Sequence, residues 1–131
     1  MDDTNLILQE TFESRGWFIV PGALSVDRVA GLKSALDEAC AIQRPIQIRN
    51  GVGEGTEGTA HHLPAHGGEF LRFISDMPLV PVLEKIFHSH VIINTFGASI
   101  IRRGYTPYVR NVHRDVRSFS TELSMVNMLV M

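Results

Sequence analysis

Apolar positions recur at helical spacing over the first two-thirds of the chain and then give way to β-branched runs. Asn5 to Ser14 reads as a helix, with Leu6 and Phe12 in its apolar stripe and Gly16 ending it. Trp17-Phe18-Ile19-Val20 is dense in β-formers and is stopped by Pro21-Gly22, which predicts a strand entering a turn. Ser25 is a suitable N-cap with Asp27 in the first turn, and Val29, Leu32, Leu36 and Ala39 predict a helix through residue 41. Ile46 and Ile48 suggest a brief strand. Phe70 to Ser75 and Leu79 to His88 predict two short helices separated by Met77-Pro78, the second burying Leu79, Val82, Leu83 and Ile86.

From Val91 the period is that of extended chain. His90 to Phe96, Ala98 to Ile101, Tyr108 to Val112 and Leu123 to Met131 read as strands, with a turn at Gly104 to Pro107. Helices first and strands afterwards suggest an α+β fold. One segment fits neither pattern. Residues 51–68 hold six of the eleven glycines, with Thr, Glu, His and Pro between them. Such a stretch buries little surface, so the expectation is a mobile loop serving as a lid, or plain disorder.

Length and charge narrow the classes. A chain of 131 residues, 44% hydrophobic and 20% charged, suits one globular domain. No run of 18 apolar residues suggests a membrane span, and acidic Met1-Asp2-Asp3-Thr4 does not look like a secretory leader. Cys40 is the only cysteine, so no intramolecular disulfide forms, and a cytoplasmic setting is expected. The formal charge of −2 is unevenly spread: residues 100–131 carry Arg102, Arg103, Arg110, Arg114 and Arg117 against two acids. That basic stretch reads as a solvated surface, an anion pocket or a nucleic-acid surface; it is short and the chain is acidic, so no nucleic-acid partner is expected.

The sharpest candidate chemistry is His113-Arg114-Asp115, directly after a predicted strand. In extended chain, residues i and i+2 share a face, so His113 and Asp115 can offer a nitrogen and an oxygen to one metal ion. These are two members of the set of two histidines and one carboxylate that holds non-haem Fe(II). Six His and six Asp in 131 residues give such a spacing by chance in roughly 0.3 of chains, so the triplet is weak by itself. The competing reading is a surface histidine beside an acid paired with Arg114 or Arg117.

The order of elements adds weight. An N-terminal helix, Gly16-Trp17-Phe18-Ile19-Val20-Pro21-Gly22-Ala23-Leu24-Ser25, a helix from Ser25, a Gly-rich loop, the Asn94 to Gly104 strand and Val112-His113-Arg114-Asp115-Val116-Arg117 together resemble the phytanoyl-CoA dioxygenase family. The resemblance covers nearly the whole chain. It implies strands of an incomplete double-stranded β-helix of the jelly-roll or cupin type. Helices would occupy about 1–90, a flexible loop about 49–68 and strands about 91–131. It further implies Fe(II) as cofactor, 2-oxoglutarate as cosubstrate and hydroxylation of a small organic or acyl substrate. His113 and Asp115 would be metal ligands, and Asn94 and Ser99 polar residues facing the cosubstrate. Family members place a second histidine, and an Arg for the distal carboxylate of 2-oxoglutarate, further downstream; residues 114–131 contain no histidine. The expectation is therefore an N-terminal portion of such an enzyme, inactive alone.

The alternative is a non-catalytic binding module that dimerises through the exposed final strand. The other histidines read as bystanders: His61, His62 and His66 as solvated loop residues or accessories at a site mouth, His88 and His90 as structural or C-capping. Cys40 reads as a small buried side chain on the apolar side of its helix.

Overall fold

The computed structural model describes residues 3–104, 115, 122, 123 and 125–131. It is a mixed structure of helices with one small two-stranded antiparallel sheet, compatible with the α+β expectation. The chain divides into two compact units: Met1–Ile19, Leu79–Ile92 and Val112–Met131 form one, and Val20–Pro78 with Ile93–Asn111 the other.

The second unit is organised by α2 (Val26–Arg49). Ser25 caps it as expected, its Oγ accepting the Arg28 N–H at 3.2 Å, and Asp27 sits in the first turn where the helix dipole favours acid. The helix does not stop at residue 41. It continues through Pro45 to Arg49, so Ile46 and Ile48 are helical rather than a strand. A proline there removes one i→i−4 hydrogen bond. What lies beyond it offsets the loss: Gln47 is buried and its amide donates to the Thr59 carbonyl at 2.8 Å.

Segment 51–68, read from composition as a loop, runs back along α2. Arg44 Nη1 donates to the Gly53 carbonyl at 2.7 Å, Thr56 Oγ1 donates to Gln47 Oε1 at 3.2 Å, and Gln43 holds His61. The segment contains β1 (Thr59–Ala60), which pairs antiparallel with β2 (Ala98–Ser99) in the register Thr59↔Ser99 and Ala60↔Ala98. A 3-10 turn follows at Leu63–His66. Glycine is required where the chain passes closest to β2. Gly58 has φ +69°, and a Cβ there would sit 3.2 Å from the Ile100 carbonyl oxygen.

α3 (Gly68–Ser75) closes the core of this unit. Ala39 of α2, Ala60 of β1, Leu63 and Phe70 are buried together, flanked by Leu32, Leu36, Cys40 and Phe96. Phe96 stacks edge-on against Phe70 at 6.0 Å between centroids and lies tilted on Phe73 at 5.5 Å. Arg28 ties the start of α2 to both ends of α3, with Nη2 3.0 Å from Asp76 Oδ2 at its C-cap and Nη1 3.9 Å from Glu69 in its first turn.

In the first unit, α1 (Asp3–Arg15) packs against α4 (Val80–Phe87). α4 buries Val82 and Ile86, with Leu79 and Leu83 half-buried. Phe12 meets Phe18 edge-on at 6.2 Å. The predicted strand Trp17 to Val20 is irregular chain, with Trp17 and Ile19 exposed. The predicted strand His90 to Phe96 is likewise irregular. β-branched side chains favour extended backbone, yet a strand needs a partner ladder, and of the β-former runs among the described residues only Ala98–Ser99 has one, with Thr59–Ala60. The Tyr108 to Val112 strand lies outside the described residues. Of Leu123 to Met131, the described members form no strand.

Candidate functional site

Asp115 is the one member of the proposed ligand pair among the described residues; His113 lies outside them. Asp115 is exposed, and Asn127 Nδ2 donates to its Oδ2 at 2.5 Å. That contact engages one carboxylate oxygen from a residue twelve positions on, as neighbouring donors do for ligating carboxylates. An exposed, oriented carboxylate fits one oxygen position of a ferrous site. Among the described residues no group of three His, Cys, Asp or Glu side chains converges to complete one.

The two residues expected to face a cosubstrate belong to the other unit. Asn94 is exposed on irregular chain. Ser99 is half-buried in β2, and its hydroxyl shares a hydrogen bond with Thr59 Oγ1 at 3.0 Å across the two-stranded sheet. Its first task is therefore cross-strand pairing.

Among the described residues, recesses of the second unit include a groove and a cleft. An open groove of about 400 Å³ runs between α2 and the start of α3; Glu38, Ile42, His66, Glu69 and Arg72 line it. A smaller cleft of about 210 Å³ is lined by Glu57, Gly58, Ile100, Arg102, Arg103 and Gly104. Arg102 and Arg103 thus put part of the basic stretch at a recess.

Among the histidines, His88 is the C-cap of α4, in left-handed conformation with φ 51°, its N–H turned back to the Glu84 and Lys85 carbonyls. His90 Nδ1 lies 2.7 Å from Glu84 Oε1. The hydrogen bond to Glu84, then its charge, raises His90 above the ordinary histidine range. His62, also left-handed at φ 53°, precedes the 3-10 turn, and His61 and His62 are exposed. His66 is different. It is half-buried, edge-on to Phe70 at 6.4 Å between centroids, and its Nε2 is 2.9 Å from Gln43 Nε2. Burial, and then the Asp37 carboxylate, hold the Cys40 thiol above its usual range, Arg102 partly offsetting them, so a nucleophilic thiolate is disfavoured.

Sequence reasoning passed over Gln43, Arg44 and Gln47, which make the contacts that shape the second unit. A signal was there: two glutamines four residues apart on a helix face that continues past its predicted end, beside a segment too rich in glycine to organise itself.

No protein-family description, curated protein or solved structure matches the chain. Among the described residues no helix is long and apolar enough to cross a membrane.

Proposed function

We propose that the chain forms part of a non-haem Fe(II)- and 2-oxoglutarate-dependent oxygenase of the phytanoyl-CoA dioxygenase type, hydroxylating a small organic or acyl substrate. The observation that carries this reading is His113-Arg114-Asp115 in its place after the predicted helices, loop and strands, with the Asp115 carboxylate exposed and oriented by Asn127. The double-stranded β-helix belongs to the same reading. When bound, iron with 2-oxoglutarate would supply oxidative decarboxylation coupled to hydroxylation.

The chain's own residues would do the following. His113 and Asp115 would donate to the metal, and Asn127 would keep one Asp115 oxygen engaged so that the carboxylate presents a fixed edge. Asn94 and Ser99 would offer polar contacts to the cosubstrate, Ser99 while sharing its hydroxyl with Thr59. Two donors hold a metal weakly. The reading requires a second histidine that residues 114–131 do not contain.

Anaerobic Fe(II) titration of the chain, with and without 2-oxoglutarate, tests it. Weak binding is expected, lost in Asp115→Ala and His113→Ala and weakened about tenfold in Asn127→Ala. Binding indifferent to Asp115→Ala would remove the metal reading. Tight binding with succinate formation by these 131 residues alone would show that the third donor lies within them.

One observation favours a second reading, a binding or dimerisation module of the same fold. Leu123, Leu129 and Val130 are exposed, Leu129 by 79%. Light scattering after size exclusion decides: a monomer at high concentration removes that reading.

A further inference from the structure

We propose that His66 and Gln43 form a proton-operated latch holding the segment 59–66 against α2. This goes beyond the oxygenase reading and does not depend on it. The orientation of the Gln43 amide is dictated by backbone. Gln43 Oε1 accepts the His61 N–H at 3.0 Å, and Gln43 Nε2 donates to the His61 carbonyl at 2.6 Å. Rotating the amide by half a turn would set oxygen against carbonyl oxygen and N–H against N–H, losing both bonds.

With the amide so placed, its Nε2 has one remaining hydrogen, and that hydrogen points to His66 Nε2 at 2.9 Å. An amide nitrogen can only donate. The ring nitrogen must therefore carry a lone pair, which puts the ring proton on Nδ1 and makes His66 neutral while the contact stands. A second proton would turn the contact into two donors facing each other. Gln43 cannot rotate to accommodate it without releasing His61, so protonation of His66 and its contact with Gln43 exclude one another.

The protonated ring has somewhere to go. Charged groups lining the groove with His66 are Glu38 from α2 and Glu69 and Arg72 from α3, Glu69 being engaged by Arg72 at 3.1 Å and by Arg28. On its own segment His61 and His62 are exposed. Glu38 and Glu69 offer carboxylates to an imidazolium, while Arg72 opposes it. In the neutral state the ring rests on Gln43 and Phe70; in the charged state it would turn toward the groove acids. With the ring gone, the Gln43 amide keeps only its two bonds to His61, directly after β1, and is free to turn, so the grip on the start of the 3-10 turn loosens.

The His61 amide reports the latch directly, since its N–H is one of the bonds at stake. Hydrogen exchange, expressed as protection factors to remove intrinsic pH dependence, is measured at pH 8 and pH 5.5 on the 131-residue chain. His61 is expected to lose about tenfold in protection at the lower pH, while the α2 amide of Val29, bonded to the Ser25 carbonyl, keeps its value. His66→Phe should show no pH dependence at His61. Gln43→Glu should reverse its direction, because a carboxylate accepts from an imidazolium. Imidazole ¹⁵N spectra of the wild-type protein at pH 8 should show Nδ1 protonated and Nε2 bare, a result that needs no variant to fold. A protonated Nε2 at pH 8, His61 protection equal at both pH values, or an undiminished pH dependence in His66→Phe would each overturn the proposal.

Discussion

Segment 51–68 and segment 91–97 exchange the roles that their compositions suggest. The first is glycine-rich and polar, yet it supplies a strand, a 3-10 turn and three residues of the buried core or its edge: Thr59, Ala60 and Leu63. The second is Val91-Ile92-Ile93 with Thr95 and Phe96, dense in β-formers, yet it is irregular and Ile92 is 92% exposed. Residue preference for extended backbone is thus a weaker determinant than the presence of something to bond to. α2 provides that for the first segment through Gln43, Arg44 and Gln47. Among the described residues, 91–95 has only Phe96 and the short β2 beyond it as anchors in the sheet and core.

Substitutions in the two segments should therefore differ in cost. Leu63→Ala removes a fully buried side chain and should lower unfolding free energy by about 2–5 kcal/mol, read from urea denaturation. Gln47→Ala leaves the Thr59 carbonyl without its side-chain donor, while the Thr56 hydroxyl keeps the Val52 carbonyl, and should cost about 1–3 kcal/mol. Gly58→Ala places a side chain at positive φ and 3.2 Å from the Ile100 carbonyl, and should cost about 1–2 kcal/mol. Ile92→Thr should stay within about 0.5 kcal/mol of wild type; a loss like that of Leu63→Ala would erase the contrast.

The smallest effect expected is at the end of α4. Glu84 raises His90, so its contribution is present below the unfolded histidine's titration and is lost as pH rises through the folded one, which lies higher. Thermal melts from pH 5 to 9 should show a slight fall across that window in wild type and none in Glu84→Gln.

Much of the helical part was legible. Ser25 and Asp27 announce α2, and the spacing of Val82 and Ile86 announces α4, because caps and 3.6-residue periodicity are local. Trp17 to Val20 and His90 to Phe96 misled for the converse reason: pairing is not local, and no run of β-formers carries its own partner. The end of α2 was missed, and Ile46 and Ile48 read as a strand, because Gln47 gains its partner from Thr59, twelve residues on. Of the candidate site, Asp115 was visible as one of a pair with His113, but Asn127, which orients it, carried no spacing to draw notice. The Gln43–His66 contact was hidden because one partner sat in a predicted helix's overrun and the other in a presumed loop.

The two glutamines of α2 also act as a ruler. Gln43 and Gln47 are four residues apart, about 6 Å along a helix axis. Their partners His61 and Thr59 are two residues apart, about 6.6 Å along extended chain, and run in the opposite direction. The two repeats are nearly commensurate, so helix and chain can share two rungs and would drift out of step at a third. Lengthening the chain between the Arg44 contact at Gly53 and the first rung at Thr59 changes no spacing on the ruler, whereas one residue added between Thr59 and His61 breaks it. Tolerance to insertion should therefore change abruptly at Thr59, within a stretch that composition presents as uniform.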